Sequence, residues 1–371
     1  MTNLETLIQQ LCPDGVEYVT IGSIADYAQP SKYIVNSTEY KEEYKTPVLT
    51  AGQSFILGYT DETDGIYDAS KDNPVIIFDD FTGAFKWVDF PFKVKSSAMK
   101  MITAKENMTF LRYIYHLMGH IGYSSDEHKR LWISVYSSIK IPLPPLPIQE
   151  EIVRILDKFT ALTAELQAEL QARRKQYEFY RDRLFEDAAG IEETTLDCIS
   201  QNCDTQRKPV TSGNREKGSI PYYGASGIVD YVKDYIFDGD YLLISEDGAN
   251  LLARSTPIAF SISGKTWVNN HAHVLKFDNY ATRRYVEIYL NSIDLSYYIT
   301  GAAQPKLNQQ NLNKIKIPLP SLSEQERIVS ILDRFDALCN DITSGLPAEI
   351  EARQKQYEFY RDKLLTFTPK G

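Results

Sequence analysis

The octapeptide KQYEFYRD occurs twice in this chain, at residues 175–182 and again at residues 355–362. Half of its residues are charged and three are aromatic, so a letter-for-letter match over eight positions does not arise by chance. The hexapeptide IKIPLP precedes each copy, at residues 139–144 and 315–320. The octapeptides are 180 residues apart and the hexapeptides 176, so the second copy has gained four residues. A repeat of this length predicts duplicated domains rather than a solenoid.

The segments in front of the two helical repeats have the pattern of β-rich globular domains. Short apolar runs such as PVIIF (residues 74–78) and YLLIS (residues 241–245) lie between Gly, Asp and Pro residues, and the same order of runs returns after residue 191. Proline-rich joints predict extended entries into the helices. We therefore predict an α+β fold in which two β-rich domains are separated by an antiparallel pair of long helices, with a pseudo-twofold internal repeat. The predicted segments are a first β-rich domain with a short N-terminal helix (1–146), a central long helix (147–190), a second β-rich domain (191–322) and a C-terminal long helix broken near 344–347 (323–371).

The helical segments carry further local signals. The first keeps apolar residues at heptad spacing for five cycles, interrupted by Thr163 and Arg173, which is typical of a coiled coil. It also contains the near-repeat TAEL–QAEL at residues 163–170, and each four-residue unit adds about 6 Å of helix. In the second segment Gly345 and Pro347 predict the break, and Ser323-Glu324-Gln325-Glu326 predicts a capping box formed by Ser323 and Glu326.

Bulk properties restrict the class of protein. The net charge of −10 argues against non-specific coating of nucleic acid. The four cysteines show no CxxC spacing and predict free thiols in a reducing compartment. No secretory pattern opens the chain and no apolar run approaches the ~20 residues that span a bilayer. We therefore expect a cytoplasmic protein with no membrane contact.

The sequence predicts no catalytic residue, because it lacks a phosphate-binding glycine loop, a nucleophile elbow and a zinc-protease helix. Asp79 and Asp80 are too few oxygen ligands for a hard cation, and His271 and His273 lack further ligands for zinc, so no metal site is predicted.

The identity of the two octapeptides requires an explanation other than catalysis or metal binding. Charged residues on a helix usually only solvate it, but solvation does not require two identical copies. Tyrosine and arginine are favoured interface anchors, and identical surfaces at related places predict two copies of one partner. The residues predicted to bind partners or pack the helices are Lys175, Tyr177, Phe179, Tyr180, Arg181, Lys355, Tyr357, Phe359, Tyr360 and Arg361.

Polar loop residues of the β-rich domains are the candidates for DNA contact. Asn and Gln pair with adenine edges, and Lys with guanine or phosphate. Each such residue alone is more often a solvated loop residue, so the clustering carries the prediction. The predicted DNA-binding residues are Gln53, Ser54, Lys86, Lys95, Ser96, Ser97, Lys100, Lys129 and Arg130 in the first domain, and Asn250, Arg254, Lys265, Asn269, Asn270, His271, Gln304, Lys306, Asn308 and Gln309 in the second.

Two unlike β-rich domains, two near-identical helical segments and the phrases IPLPPLPIQEEIVRILDKF, IPLPSLSEQERIVSILDRF and KQYEFYRD together resemble the specificity subunit of a type I restriction-modification enzyme. The resemblance covers essentially the full chain. It implies that each β-rich domain reads one half of a bipartite asymmetric target in double-stranded DNA, and that the helices hold these domains apart and dock two modification (methyltransferase) subunits. Restriction subunits join that core.

The same resemblance implies that the chain is non-catalytic by itself and belongs to a DNA adenine methyltransferase and ATP-dependent endonuclease complex. S-adenosylmethionine, ATP and magnesium are then expected on the partner subunits, with no cofactor in this chain. The alternative is a non-enzymatic coiled-coil scaffold that presents two protein- or glycan-binding domains. A self-contained nuclease or methyltransferase is disfavoured by the missing catalytic motifs.

Overall fold

The computed structural model describes residues 3–52, 54–122, 130–188, 193–301 and 304–371. The chain divides into two compact units. The first unit comprises Met1–Gln167 and Glu349–Gly371, and the second unit comprises Ala168–Ala348. The C-terminal segment joins the first unit through the backbone, since the Val16 N–H donates to the Thr368 carbonyl at 2.9 Å. Each long helical region therefore contributes residues to both units.

The elements follow one another in the same order in the two halves of the chain. Up to the central helix they are α1 (Asn3–Leu11), β1 (Glu17–Thr20), α2 (Ile21–Ile24), β2 (Ala25–Ala28), β3 (Thr46–Leu49), β4 (Ile56–Thr60), β5 (Val75–Asp79), β6 (Phe85–Val88), β7 (Lys93–Val94), β8 (Met99–Ala104), α3 (Leu111–Ile121), α4 (Leu131–Ser134), β9 (Lys140–Leu143) and α5 (Leu146–Ala188). After it come β10 (Glu193–Thr195), α6 (Leu196–Ile199), β11 (Gln201–Asn202), β12 (Lys217–Gly224), β13 (Gly227–Val232), β14 (Phe237–Asp238), β15 (Tyr241–Ser245), α7 (Asn250–Ala253), β16 (Ala259–Ile262), β17 (Lys265–Val268), β18 (Ala272–Lys276), α8 (Tyr280–Ser292), α9 (Gln309–Leu312), β19 (Lys316–Pro318), α10 (Leu322–Asn340) and α11 (Leu346–Leu364).

The sheet topology repeats almost strand for strand. The first unit has sheets in the orders β1-β9, β2-β8-β5-β6 and β4-β3-β7, and the second has β10-β19, β11-β18-β15-β16 and β13-β12-β17-β14. In both units one pairing is parallel, β3 with β7 and β12 with β17, whereas the other pairings between these strands are antiparallel. The predicted mixed α and β fold with an internal repeat is confirmed.

Strands β5 and β15 form the centre of each unit. Both are apolar runs without alternation, which is the pattern of a strand buried on both faces. Ile76 of β5 packs with helix α3 in one apolar cluster, and its neighbour Ile77 packs in a second cluster on the opposite face. Leu242 and Leu243 of β15 divide in the same way.

The joint between each sheet and its helix uses one pattern of hydrogen bonds twice. A buried tyrosine of α3 or α8, Tyr113 or Tyr285, donates to the carbonyl of a joint proline at 3.0 or 2.8 Å. A buried glutamine, Gln149 or Gln325, accepts from a threonine hydroxyl and donates to another proline carbonyl. The IKIPLP repeat is thus held through its proline carbonyls by a tyrosine of the domain helix, α3 or α8, and by a glutamine of the long helix, α5 or α10.

The start of α10 differs from the prediction. The helix begins at Leu322, with Ser321 at the cap position, so Ser323 already lies inside the first turn. The Ser323 hydroxyl lies 3.1 Å from the Ser321 hydroxyl. The predicted capping box of Ser323 and Glu326 is therefore wrong, because the helix starts two residues earlier than that motif requires.

The long helices pack closely within the second unit. Tyr180 of α5 stacks on Phe335 of α10 with ring centroids 5.8 Å apart, whereas Arg174 lies near Cys339. A lower residue number in α5 thus corresponds to a higher residue number in α10, so the two helices are antiparallel there. Helix α5 is continuous through the TAEL–QAEL stretch, and residues 341–345 separate α10 from α11. Within the described residues no helix combines the length and apolarity needed to cross a membrane.

Candidate nucleic-acid interface

A cleft of about 400 Å³ opens beyond the end of β15 in the second unit. Its lining residues are Asp247, Gly248, Ala249, His271, Gln304, Pro305 and Lys306. Two backbone hydrogen bonds bring these segments together: the Glu246 N–H donates to the His271 carbonyl at 2.9 Å, and the Leu307 N–H donates to the Glu246 carbonyl at 2.8 Å. Three predicted DNA-binding residues, distant in sequence, thereby share one site.

The cleft presents both hydrogen-bond donors and acceptors. Gln304 is exposed, and its amide can donate and accept. Lys306 keeps half of its side-chain surface exposed although its Nζ lies 3.1 Å from a Glu246 carboxylate oxygen. His271 lies 2.9 Å from the Asp247 carboxylate. This mixture matches what reading a base edge requires, since adenine offers a donor and an acceptor and guanine two acceptors.

A buried charged network lies behind the cleft. His273, which is 1% exposed, has Nδ1 2.6 Å from Asp204 Oδ2 and Nε2 2.8 Å from the Leu307 carbonyl. The Arg207 guanidinium donates to Glu246 at 2.6 Å. Burial by itself raises the pKa of the Asp204 and Glu246 carboxyl groups, but hydrogen bonds from His273 and Arg207 outweigh it and hold both pKa values below their ordinary range.

The same carboxylates and His273 are close enough to hold a metal ion, with ligand atoms within 4.8 Å of one another among the described residues. The Arg207 guanidinium, however, contacts both carboxylates, at 2.6 and 3.3 Å. Two cations, Arg207 and Lys306, already face the two carboxylates, so we interpret the cluster as an ion-pair network.

The first unit has the same backbone arrangement at the end of β5. The Asp80 N–H donates to the Ala98 carbonyl at 2.9 Å, and the Leu131 N–H donates to the Asp80 carbonyl at 2.7 Å. Ser97 and Arg130 precede these partners in sequence and are exposed. They therefore flank the end of β5 as Asn270 and Lys306 flank the end of β15.

Two predicted DNA-binding residues are buried and are withdrawn from the set. Lys100 has no exposed surface, and its Nζ lies 3.2 Å from Asp80 Oδ2. Its position on β8 faces the interior, a side of the strand that the run KSSAMK does not reveal. Asn269 is 7% exposed, and its side-chain oxygen accepts the His271 N–H at 2.8 Å. It shapes the backbone behind the cleft instead of facing DNA.

Three further predicted residues use polar atoms within the chain. The Asn250 amide bonds to the backbone of Thr256, and Arg254 donates to the Ile293 carbonyl at 2.7 Å. The Asn308 oxygen caps α9. These bonds hold the turns on which they lie, which leaves fewer of their groups for DNA.

The remaining predicted DNA-binding residues stay predictions. Lys86 is partly buried on β6, and Gln53 and Lys129 lie outside the described residues. The exposed ones not yet placed are Ser54, Lys95, Ser96, Lys265 and Gln309. Lys95 lies 3.3 Å from the Tyr40 hydroxyl, and Lys265 lies over the Tyr235 ring.

The two octapeptides have the same exposure pattern at every position. Phe179 and Phe359 are 58% and 63% exposed, although large aromatic side chains are normally covered. The tyrosines that follow them stack on a phenylalanine of the packed helix, Tyr180 on Phe335 and Tyr360 on Phe159. Lys175 and Lys355 are exposed, and Arg181 and Arg361 lie over Tyr177 and Tyr357. Each copy thus packs through its tyrosines and presents a phenylalanine to solvent.

Sequence reasoning missed the acidic residues behind and beside the cleft, Asp204, Glu246 and Asp247. Glu246 and Asp80 both directly follow the central strand of a repeat, and this shared position was the available signal.

Sequence comparison agrees with this duplicated architecture. The sequence model of the family described as "Type I restriction modification DNA specificity domain" matches residues 13–173 and again residues 192–352. The chain belongs to this family. Type I specificity chains are DNA-recognition proteins, so the family membership favours DNA recognition over a scaffold for proteins or glycans.

Individual members of the family align over the full chain or over half of it. The chain is 44% identical to the type I restriction enzyme EcoR124I/EcoR124II specificity subunit of Escherichia coli, covering 99% of this chain and 97% of that protein. It is 39% identical to a putative type I restriction enzyme specificity subunit of Haemophilus influenzae over about half of each chain, 50% and 49%. The crystal structure of a type I restriction-modification S subunit from M. genitalium shares the fold, with a TM-score of 0.62 at 16% identity over 95% of this chain and 96% of that one.

Proposed function

We propose that this chain is the DNA sequence-specificity subunit of a type I restriction-modification complex. Each unit reads one half of a bipartite, asymmetric target in double-stranded DNA. The observation that carries this proposal is that the two units share their sheets and joints but differ in the polar residues at the ends of their central strands. The two units repeat their sheets and joints, but Ser97 and Arg130 stand at the end of one central strand where Asn270 and Lys306 stand at the other. Equivalent frameworks with different polar groups suit two different half-sites.

The two octapeptides dock two copies of a modification (methyltransferase) subunit, and restriction subunits join through these. Support comes from the identical residues, their identical exposure and the exposed Phe179 and Phe359. Aromatic side chains at a protein surface are characteristic interface anchors. The chain itself contributes no catalysis, and S-adenosylmethionine, ATP and magnesium belong to the partner subunits.

The proposal is tested by co-expressing the chain with the modification subunit of its own operon and mapping adenine methylation in host DNA by single-molecule sequencing. We expect one asymmetric target made of two defined half-sites with a fixed spacer. An exchange of residues 193–318 for those of another family member should change one half-site and keep the other. A continuous target, or a change in both half-sites, would contradict the division of reading between the units.

A further inference from the structure

The ends of strands β5 and β15 carry related buried charge pairs. In the first unit, Phe78 of β5 pairs with Lys100 of β8, and in the second, Ile244 of β15 pairs with His273 of β18. Lys100 and His273 thus occupy the same place in the two sheets. Both are fully buried bases that face a carboxylate belonging to the residue after the central strand, Asp80 or Glu246.

The backbone at these carboxylates ties down a loop in each unit. Leu131 donates its N–H to the Asp80 carbonyl, and Leu307 donates to the Glu246 carbonyl. Both leucines are buried, and the residues immediately before them, Arg130 and Lys306, are exposed. In both units, therefore, a buried leucine that holds the loop directly follows an exposed residue that is a candidate for contact with DNA.

His273 holds its loop more directly than Lys100 does. Its two ring nitrogens face the Asp204 carboxylate and the Leu307 carbonyl, both of which are acceptors. The ring thus links the Asp204 side chain to the loop backbone at Leu307. Asp204 is fixed in turn by the Val274 N–H at 2.8 Å and by Arg207 at 3.3 Å.

The segment from Gln304 to Leu307 has no helix or extended strand of its own to hold it. Contacts with other segments fix its shape: Leu307 bonds Glu246 and His273, the Pro305 carbonyl accepts the Gly248 N–H at 3.1 Å, and Lys306 pairs with Glu246. The Lys306 backbone also exchanges two hydrogen bonds with Thr300, at 2.9 and 2.7 Å. Among these contacts, those of His273 are made by a fully buried side chain.

We propose that His273 is a positioning residue for target specificity, because it fixes the Leu307 carbonyl and thereby places Gln304 and Lys306 at the cleft. The Asp80–Lys100 pair has the same positioning role for Arg130 in the first unit. There the Asp80 carboxylate also accepts the Trp132 N–H at 2.8 Å. The specificity role rests on the proposed function, whereas the positioning role does not.

Positioning is tested on the purified full chain by amide hydrogen exchange of peptides covering residues 304–312. His273→Phe removes both bonds at similar volume, and we expect exchange there to become about tenfold faster, as for a locally loosened segment. His271→Phe is the matched control, since that ring is half exposed and its bonding partner among the described residues is Asp247, and it should leave the exchange within about twofold. Unchanged exchange in His273→Phe would overturn the positioning role without any reference to DNA.

Specificity is tested on the complex with the modification subunit, as the ratio of methylation rates on the full target and on targets altered in one half-site. We expect His273→Phe to reduce discrimination at one half-site about tenfold and at the other by less than about twofold, because one good base contact carries roughly this selectivity. Asp80→Asn should affect the opposite half-site. His273→Lys, which places the residue type of Lys100 at the matching position, should restore most of the discrimination.

The outcomes separate the two claims. If the wild-type complex methylates no bipartite target, the proposed function fails while the exchange result still decides positioning. If the wild type selects such a target and His273→Phe discriminates as well as it does, the specificity role is overturned. Should His273→Phe not assemble, His273→Gln, which retains a single donor group, is measured in its place and is expected to show the same one-sided loss.

Discussion

The joints of the two units share their principal hydrogen bonds, whereas the ends of their central strands do not. In both joints a buried glutamine bonds a threonine hydroxyl and a proline carbonyl, and an arginine bonds the aspartate of the ILD triplet at 2.7 Å. At the strand ends, Lys100 and Asp80 in one unit are replaced by His273, Glu246 and Asp204 in the other. Residues that hold a sheet on its helix are thus constrained alike, while residues at the candidate reading edge are free to differ.

This comparison divides substitutions into classes with different expected results. Changes in the helices should alter spacing or partner binding for the molecule as a whole. Changes at a joint should destabilise one unit, and changes at a strand end should alter one half-site. Measured effects of single changes in each class decide whether these three roles are separate.

Lengthening the central helix should have the largest effect. Inserting one further TAEL unit after Leu166 adds about 6 Å of helix. We expect the spacer between the half-sites to grow by one or two base pairs, at about 3.4 Å per step, so that the original target is no longer methylated. Single-molecule methylation sequencing reads the new target directly.

The matched control is Thr163→Gln, which converts TAEL to QAEL without changing the length of the helix. It should keep the original spacer. If the insertion leaves the spacer unchanged as well, helix length does not set the distance between the half-sites.

Loss of an octapeptide phenylalanine should remove one partner. Phe179→Ser or Phe359→Ser should each weaken one docking site by about 2 kcal/mol, roughly thirtyfold in Kd, which is typical of an aromatic anchor. Native mass spectrometry at a fixed modification-subunit concentration should show one bound copy for each single variant and none for the double variant.

Glu178→Gln is a suitable control, because that side chain is exposed on the same turn and carries no large apolar surface. Equal behaviour of the two single variants is the important point. If one phenylalanine matters and the other does not, the identity of the octapeptides has a cause other than two equivalent partners.

Much of the architecture could be predicted from the sequence, since the octapeptide and IKIPLP identities reveal the repeat and apolar runs such as YLLIS mark buried strands. The site was harder to predict for two physical reasons. Lys100 lies between Met99 and Met101, and only the register of β8 against β5 shows that it points inward. His271, Gln304 and Asp247 converge only because the end of β15 bonds two distant segments, a long-range pairing that no local pattern contains.

Removing a joint glutamine should destabilise its unit strongly. Gln149→Ala leaves a threonine hydroxyl, a proline carbonyl and the Phe110 N–H without their partner, and Gln325→Ala leaves the first two groups. With about 1–3 kcal/mol for an unsatisfied buried group, we expect a loss of about 3 kcal/mol in each case. The first unit should lose slightly more.

Urea unfolding followed by hydrogen-exchange mass spectrometry assigns each loss to the peptides of one unit. The exposed Gln171→Ala is the control and should change the free energy of unfolding by less than about 0.5 kcal/mol. A Gln149→Ala effect that spreads equally over peptides of both units would show that the joints do not stabilise their units separately.

Lowering the pH should destabilise the first unit more than the second, because the first joint contains a buried histidine and the second does not. The effect should be smaller than that of removing a joint glutamine. In the first unit His116 is buried, with Nε2 2.8 Å from Asp157 and Nδ1 3.0 Å from the Tyr357 hydroxyl, whereas Ile288 occupies the matching place in the second. Burial lowers the pKa of His116, and Arg112 and Arg361 lower it further, although Asp157 opposes them. A neutral ring satisfies both contacts, donating to Asp157 and accepting from Tyr357.

The sign of the pH effect follows from linkage. Between its folded-state pKa and the unfolded value near 6.5, His116 binds more protons in the unfolded chain. The stability of the first unit should therefore fall as the pH drops below about 6.5, by about 1.4 kcal/mol for each unit of pKa difference, and level off below the folded pKa. The Asp157 pKa is held below its usual range, because hydrogen bonds from His116 and Arg112 outweigh the raising effect of burial, so Asp157 contributes only at much lower pH.

Urea unfolding at pH 7.5 and 5.5, read by exchange in first-unit peptides, should show this loss of stability. His120, which lies 2.8 Å from Asp362, is replaced by Gln throughout so that His116 is the histidine compared at this joint. His116→Gln should then abolish the difference between the two pH values, and its persistence in that variant would assign the acid sensitivity to another group.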